Sequence, residues 1–219
     1  MKISHHLDEA TILAYAAGTL GEALSVVAAA HIAWCPDCRK AVRHAEAVGA
    51  SLFDGGDGFP LTDHALESVM ARLPGAPPRE AVAAPVLASA AGLPRPIASR
   101  LDGQSLSDIR WRRVAPGVAF HDFPLSSGSQ GQLRLMRISP GKSMPEHGHG
   151  GEELTLVLRG SYSDHLGRFG IGDVADLDES VEHRPVVNPE GDCICLVATE
   201  APTRFTSLFA RLMQPLVRI

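Results

Sequence analysis

Residues 31–38 read His-Ile-Ala-Trp-Cys-Pro-Asp-Cys, an H-x3-C-x2-C pattern that gathers three metal ligands in a short stretch. An imidazole with two thiolates is a soft donor set that favours zinc over magnesium or calcium. On helical or helix-turn geometry His31, Cys35 and Cys38 emerge on one side of the chain, within reach of a tetrahedral ion. A structural zinc takes four ligands, so the fourth must come from another element. His6 stands directly before Leu7 and Asp8 at the entrance of the first helix, where its ring can face back toward the motif. His5, the downstream His44 and a three-ligand site are the alternatives. Two small buried apolar thiols fit less well, because the intervening Pro36-Asp37 reads as a turn. A redox pair is a third reading.

A second constellation lies further along. Gly141 to Gly160 fits G-x5-H-x-H-x3-E-x6-G at every specified position. His147, His149, Glu153, Thr155 and Val157 share parity, so an extended chain points them to one face. Glu152 has the opposite parity. Two imidazoles and a carboxylate inside a barrel form a mixed nitrogen and oxygen site for a first-row metal, and zinc, manganese, iron and nickel are all compatible with it. Cys193-Ile-Cys195 falls on another apolar run, with both thiols facing the same way. They read either as oxidisable groups near that metal or as two buried strand cysteines. His64, His121 and His165 read as surface or core-edge residues.

Two periodicities describe the elements that must position these residues. From Leu7 to about Val48 the apolar spacing is helical and alanine-rich. Gly18 ends a first helix, Thr19 is a possible cap for a second, and Pro36 opens a third with Cys35 at the junction. Asp54 to Pro60 is a glycine-rich break, followed by a short amphipathic helix over Leu61–Leu73, with Leu66, Val69, Met70 and Leu73 on one face. A lone helix of this kind often docks on a partner. Pro74 to Pro96 holds six prolines and reads as a partly stiff linker. Beyond Ile97 short apolar runs between turn signals predict strands at Val118–Phe120, Leu133–Ile138, Leu154–Leu158, Ser161–Tyr162 and Ile194–Val197. The segment Arg204 to Leu216 fits a helix or a strand equally. The fold class is therefore α+β: a small metal-bound helical bundle, then an all-β sandwich or barrel.

Composition narrows the function classes. A chain of 219 residues, 45% hydrophobic and 21% charged, buries a core without disulfides. Its four cysteines form two tight pairs rather than a secreted framework, which points to a reducing compartment. The start lacks an apolar signal region, and no long uncharged apolar stretch occurs, so the expectation is a cytoplasmic protein with no membrane span. An aromatic content of 5% argues against stacking on nucleic acid. Residues 1–73 hold nine acids against five bases, most of the net charge of −5. That balance disfavours DNA and suits a basic protein partner.

The run from Leu7 through Leu13-Ala-Tyr15-Ala-Ala-Gly18-Thr-Leu20, with His31-x3-Cys35-x2-Cys38 after it, resembles the zinc-binding anti-sigma domain of the ChrR family. The resemblance implies a three-helix zinc-bound body plus a further helix, inserted between the two domains of an extracytoplasmic-function sigma factor. It implies His6, His31, Cys35 and Cys38 as the zinc ligands. It also matches Leu61–Leu73 to the family's fourth, sigma-contacting helix. The Gly141–Gly160 pattern is similar to the first cupin motif, which implies a double-stranded β-helix (jelly-roll) barrel. Of the second cupin motif Gly172 and His183 are in place, whereas Asp178, Ser180 and Val187 depart from it. His183 is carried over as the fourth ligand beside His147, His149 and Glu153.

Together these imply residues 1–85 as an anti-sigma domain, 74–96 as a linker and 97–219 as a cupin sensor domain. Zinc is expected in the first and a second divalent metal, zinc foremost, in the third. A one-to-one complex with the sigma factor, without nucleic acid or membrane, is the expected assembly. Family members are implied to answer singlet oxygen or related oxidants by releasing the sigma factor for a stress response. The competing reading is a metal-dependent cupin enzyme, a dioxygenase or isomerase, with a zinc-bound interaction domain, since the barrel ligands serve either role. An anti-sigma domain upstream favours the sensor, with no catalytic residues.

Overall fold

The computed structural model describes residues 2–56, 58–73, 92–202 and 204–205. Helix α1 (Glu9–Ala17) starts where the Asp8 side chain accepts the Thr11 amide, and ends where Gly18 takes a left-handed φ of 70° that closes the last turn. Helix α2 (Glu22–Trp34) follows with Gly21 at its N-cap position. The expected Thr19 cap is not formed; the Thr19 hydroxyl instead donates back to the Ala14 carbonyl of the preceding helix. Cys35 ends α2 and begins α3 (Pro36–Asp54), and its sulfur accepts the Cys38 amide at 3.4 Å. A short helix α4 (Ala65–Ala71) occupies the centre of the predicted Leu61–Leu73 segment. Helix α5 (Arg95–Arg100), absent from the sequence reading, begins at the edge of the proline-rich stretch.

The β part contains β1 (Arg112–Ala115), β2 (Val118–Phe123), β3 (Gln132–Ile138), β4 (His147–Gly148), β5 (Glu153–Arg159) and β6 (Tyr162–Asp164). It continues with β7 (Gly167–Phe169), β8 (Val174–Leu177), β9 (Val186–Val187), β10 (Cys193–Thr199) and β11 (Arg204–Phe205). Six strands form an antiparallel sheet in the order β1-β2-β3-β10-β5-β8. Opposite it stand β7-β6-β9 and β11-β4, and a bridge between His147 and His183 closes one end. This is the expected jelly-roll barrel. The undecided C-terminal segment contributes β11; its residues 206–216 lie outside the described ones, as do residues 74–91 of the expected linker.

The central strands β5 and β10 of the large sheet are buried on both faces. On β5, Leu154, Leu156 and Leu158 face outward against the helices, while Glu153, Thr155 and Val157 face the barrel interior. The outer face is covered by α2 through Ala23, Leu24, Val27, Ala28 and Ala30, with Leu93, Ile97 and Leu101 beside it. Small alanine side chains let the helix lie close to the sheet, and the helical unit shares one apolar core with the barrel. Polar contacts reinforce this docking. Glu22 on the first turn of α2 accepts from Arg100, the Ser126 amide and the Ser129 hydroxyl at 2.6–3.1 Å. The Ser129 bond, then the Ser126 amide and Arg100, lower the Glu22 carboxyl to about 2.

Candidate metal centres and an exposed apolar face

The α2–α3 junction presents Cys35 and Cys38 on consecutive turns, and His31 stands one helical turn before Cys35. All three are fully buried. His6, on the segment leading into α1, brings Nδ1 to 3.2 Å from the Cys35 sulfur and 3.7 Å from that of Cys38. His31 Nε2 lies 3.2 Å from the Cys38 sulfur. Nitrogen and sulfur ligands of one tetrahedral zinc are about 3.5 Å apart, so these separations fit a shared ion. One donor atom from each of the four residues lies within 4.8 Å of the others. Of the other candidates, His5 turns aside to stack on Phe169 at 4.1 Å, and His44 is exposed on α3.

His31 Nδ1 donates to the Gly172 carbonyl at 2.9 Å, which leaves the Nε2 lone pair aimed at the sulfurs. Burial lowers the His31 imidazole to about 4 and pushes the Cys38 thiol up to about 12. A buried neutral imidazole with two thiols suits a soft cation that displaces the thiol protons.

Inside the barrel His147, His149, Glu153 and His183 converge, all buried, with donor atoms within 4.8 Å of one another. Parity places Glu153 inward as expected, and Glu152 does not join the cluster. His183 Nδ1 meets the Asp164 carboxylate at 2.9 Å, and His147 Nδ1 donates to the Pro145 carbonyl at 2.8 Å. Each ring therefore carries its proton on Nδ1, and the two Nε2 lone pairs face each other at 3.1 Å. With both rings neutral the two lone pairs repel, and a metal ion or a proton shared between them relieves the repulsion. His149 Nε2 is likewise buried with no hydrogen-bond partner among the described residues.

Burial alone would raise the Glu153 carboxyl, but His149, 3.3 Å away, and the rings of His147 and His183 outweigh it and hold it below the usual range. Burial depresses the His147 imidazole, keeping it neutral as a metal ligand must be. The residues present thus fit a divalent metal. Asp164 was missed in the sequence, where nothing but its place after Tyr162 marks it.

A cavity of about 70 Å³ adjoins the cluster, bordered by Arg134, Met136, Met144, Tyr162, Cys193 and Cys195. The cysteine sulfurs lie 3.5 Å apart and both are free and buried. The neighbouring Cys193 thiol, together with burial, raises Cys195 well above the usual thiol range, so it is no ready thiolate nucleophile.

The helical unit also carries a broad apolar surface. Leu52 and Phe53 at the end of α3, Phe59 and Leu61 after it, and Leu66, Val69, Met70 and Leu73 around α4 are all exposed. Helix α4 buries none of its residues. Exposed large apolar side chains in this number make these segments a candidate interaction site.

Residues 102–202 match the family model of the ChrR cupin-like domain. The anti-sigma-E factor ChrR of Cereibacter sphaeroides is 42% identical over 219 residues, spanning 100% of both proteins. A crystal structure of Rhodobacter sphaeroides SigE in complex with the anti-sigma ChrR contains a chain 41% identical to this one. The likeness has a TM-score of 0.75 and covers 90% of this chain and 99% of that one. With helical unit and barrel matched together along the whole length, the chain belongs to the ChrR family of anti-sigma factors.

Proposed function

We propose that this chain binds an extracytoplasmic-function sigma factor one to one in the cytoplasm and holds it off RNA polymerase. The observation that carries the reading is the full-length identity to an anti-sigma-E factor, a protein of a kind seen in complex with SigE. Residues 1–85 act as the sigma-binding part, 74–96 as the linker and 97–219 as the sensor. The apolar residues of α4 and the end of α3 supply the contact, and the acidic balance of residues 1–73 suits the basic surfaces of a sigma factor.

His6, His31, Cys35 and Cys38 hold a zinc ion whose role is structural. It cross-links α1 to the α2–α3 junction. His147, His149, Glu153 and His183 hold a second divalent ion, zinc foremost. The barrel answers an oxidant, singlet oxygen or a related species, and the sigma factor is released to transcribe protective genes. Support for this step lies in the oxidisable Met136, Met144, Cys193 and Cys195 around the cavity. The same ligands would serve a dioxygenase or isomerase, but the kinship along the full length is with a regulator, and we read the chain as no enzyme.

The double variant Leu66→Asp/Met70→Asp tests the docking surface. Both side chains are exposed, so the melting temperature is expected to hold. Binding to the sigma factor from the native cell, measured calorimetrically, is expected to weaken about 30-fold or more, the effect of losing one interface hot spot. Undiminished binding would move the contact off α4. A chain that binds no sigma factor and turns over a small acid would favour the enzyme.

A further inference from the structure

The two imidazoles of the helical centre are both held from the barrel. His31 Nδ1 donates across 141 positions of sequence to the Gly172 carbonyl, on the turn between β7 and β8. Asp173, the next residue, accepts the Ser4 amide at 2.6 Å and the His5 amide at 3.0 Å, which fixes the backbone immediately before His6. The same carboxylate accepts the Gly170 amide at 2.8 Å and so braces its own turn. Beyond His6, the Asp8 amide donates to Asp176 at 2.9 Å. Residues 4–8 are thereby strapped along β8 on both sides of His6. Only Cys35 and Cys38 owe their placement to the helical unit alone.

The strap also leads inward. His5 stacks on Phe169 at 4.1 Å, and Phe169 stacks on Tyr162 at 4.9 Å. Tyr162 borders the cavity beside the barrel cluster, with its hydroxyl buried and without a hydrogen-bond partner among the described residues.

We propose that the Gly170–Asp173 turn of the barrel is the outer shell of the helical unit's zinc centre, with Asp173 as a positioning residue, so that the barrel and the zinc centre are energetically linked. The inference rests on reading His6, His31, Cys35 and Cys38 as a metal centre. Outer-shell partners fix the orientation of a ligating imidazole, and their loss costs about 10–100-fold in metal affinity. Linkage is reciprocal: a change in the barrel that moves the turn loosens the zinc, and loss of the zinc frees the turn.

Cobalt in place of zinc tests this on the full chain. Of the two clusters only the helical one includes cysteines, so a sulfur-to-cobalt charge-transfer band that is lost in Cys35→Ala reports that centre. Asp173→Asn keeps an oxygen for Gly170 but turns an amide donor toward Ser4 and His5. It is expected to release the band-forming cobalt to a chelator about tenfold faster than the parent chain. His5→Ala, which changes no barrel residue but removes the stack on Phe169, is expected to shift release in the same direction by a smaller factor. Parental release rates in both variants, or in His5→Ala alone should Asp173→Asn fail to fold, would overturn the linkage. If the parent chain develops no thiolate band, the reading of the centre itself fails and the linkage with it.

Discussion

Cys35→Ala is expected to empty the proposed zinc centre and to abolish sigma-factor binding. Cys35 is fully buried, ends one helix and begins the next, and its sulfur accepts the Cys38 amide. The variant removes a ligand and a cap together. Structural zinc in small domains contributes about 10–16 kcal/mol of apparent binding free energy, against about 5–15 kcal/mol for the net stability of a whole domain. The helical unit has few other means of holding α1 and α3, of which only Thr11, Cys38 and Val42 are buried. Helix α2 stands apart, because it is packed on the sheet through Leu24, Val27 and Ala28. The loss is therefore expected to be partial. Amide hydrogen exchange should lose its protection across α1 and α3 while α2 and the sheet keep theirs. A Cys35→Ala chain that stays protected throughout and still inhibits would make the centre dispensable.

His149→Ala produces the opposite pattern. His149 is the main group offsetting the burial of Glu153, and its Nε2 has no hydrogen-bond partner among the described residues. Its removal takes one of four donors from the barrel centre and leaves a buried carboxylate less well balanced. Because loss of an outer-shell partner alone costs about 10–100-fold, loss of a ligand is expected to lower metal affinity more than about 100-fold. Metal analysis should fall from two ions per chain to one, with the thiolate centre retained. Binding to the sigma factor is expected to stay within about twofold of the parent, whereas release on oxidant challenge is lost. Normal release from a chain holding a single ion would take sensing away from the barrel metal.

The chemistry was more legible in the sequence than the packing. H-x3-C-x2-C and G-x5-H-x-H-x3-E-x6-G are local patterns, and local spacing is what periodicity reads. The choice between His5 and His6 was not local. It depends on Phe169 and Asp173, which draw His5 to the barrel and leave His6 to the sulfurs. Asp164 and Asp173 escaped notice for the same reason, since each matters through a partner remote in sequence. Thr19 shows a local rule overridden, its hydroxyl satisfied by the carbonyl of the previous helix.

The strands β2, β3, β5, β6 and β10 fall where apolar runs predicted them, while β4, β8 and β9, of two to four residues, are too short to announce themselves. The apolar runs of β5 and β10 were legible as strands, whereas their burial on both faces emerges only in the fold. That α2 supplies the outer cover was not legible either, because its alanines mark closeness without naming what comes close.

The most direct measurement is transcription in a reconstituted system: RNA polymerase, the cognate extracytoplasmic-function sigma factor and its promoter. An equimolar amount of the full chain with two metals bound is expected to abolish the sigma-dependent transcript, and the Cys35→Ala chain to leave it intact. A transcript unchanged by the full chain would contradict the account.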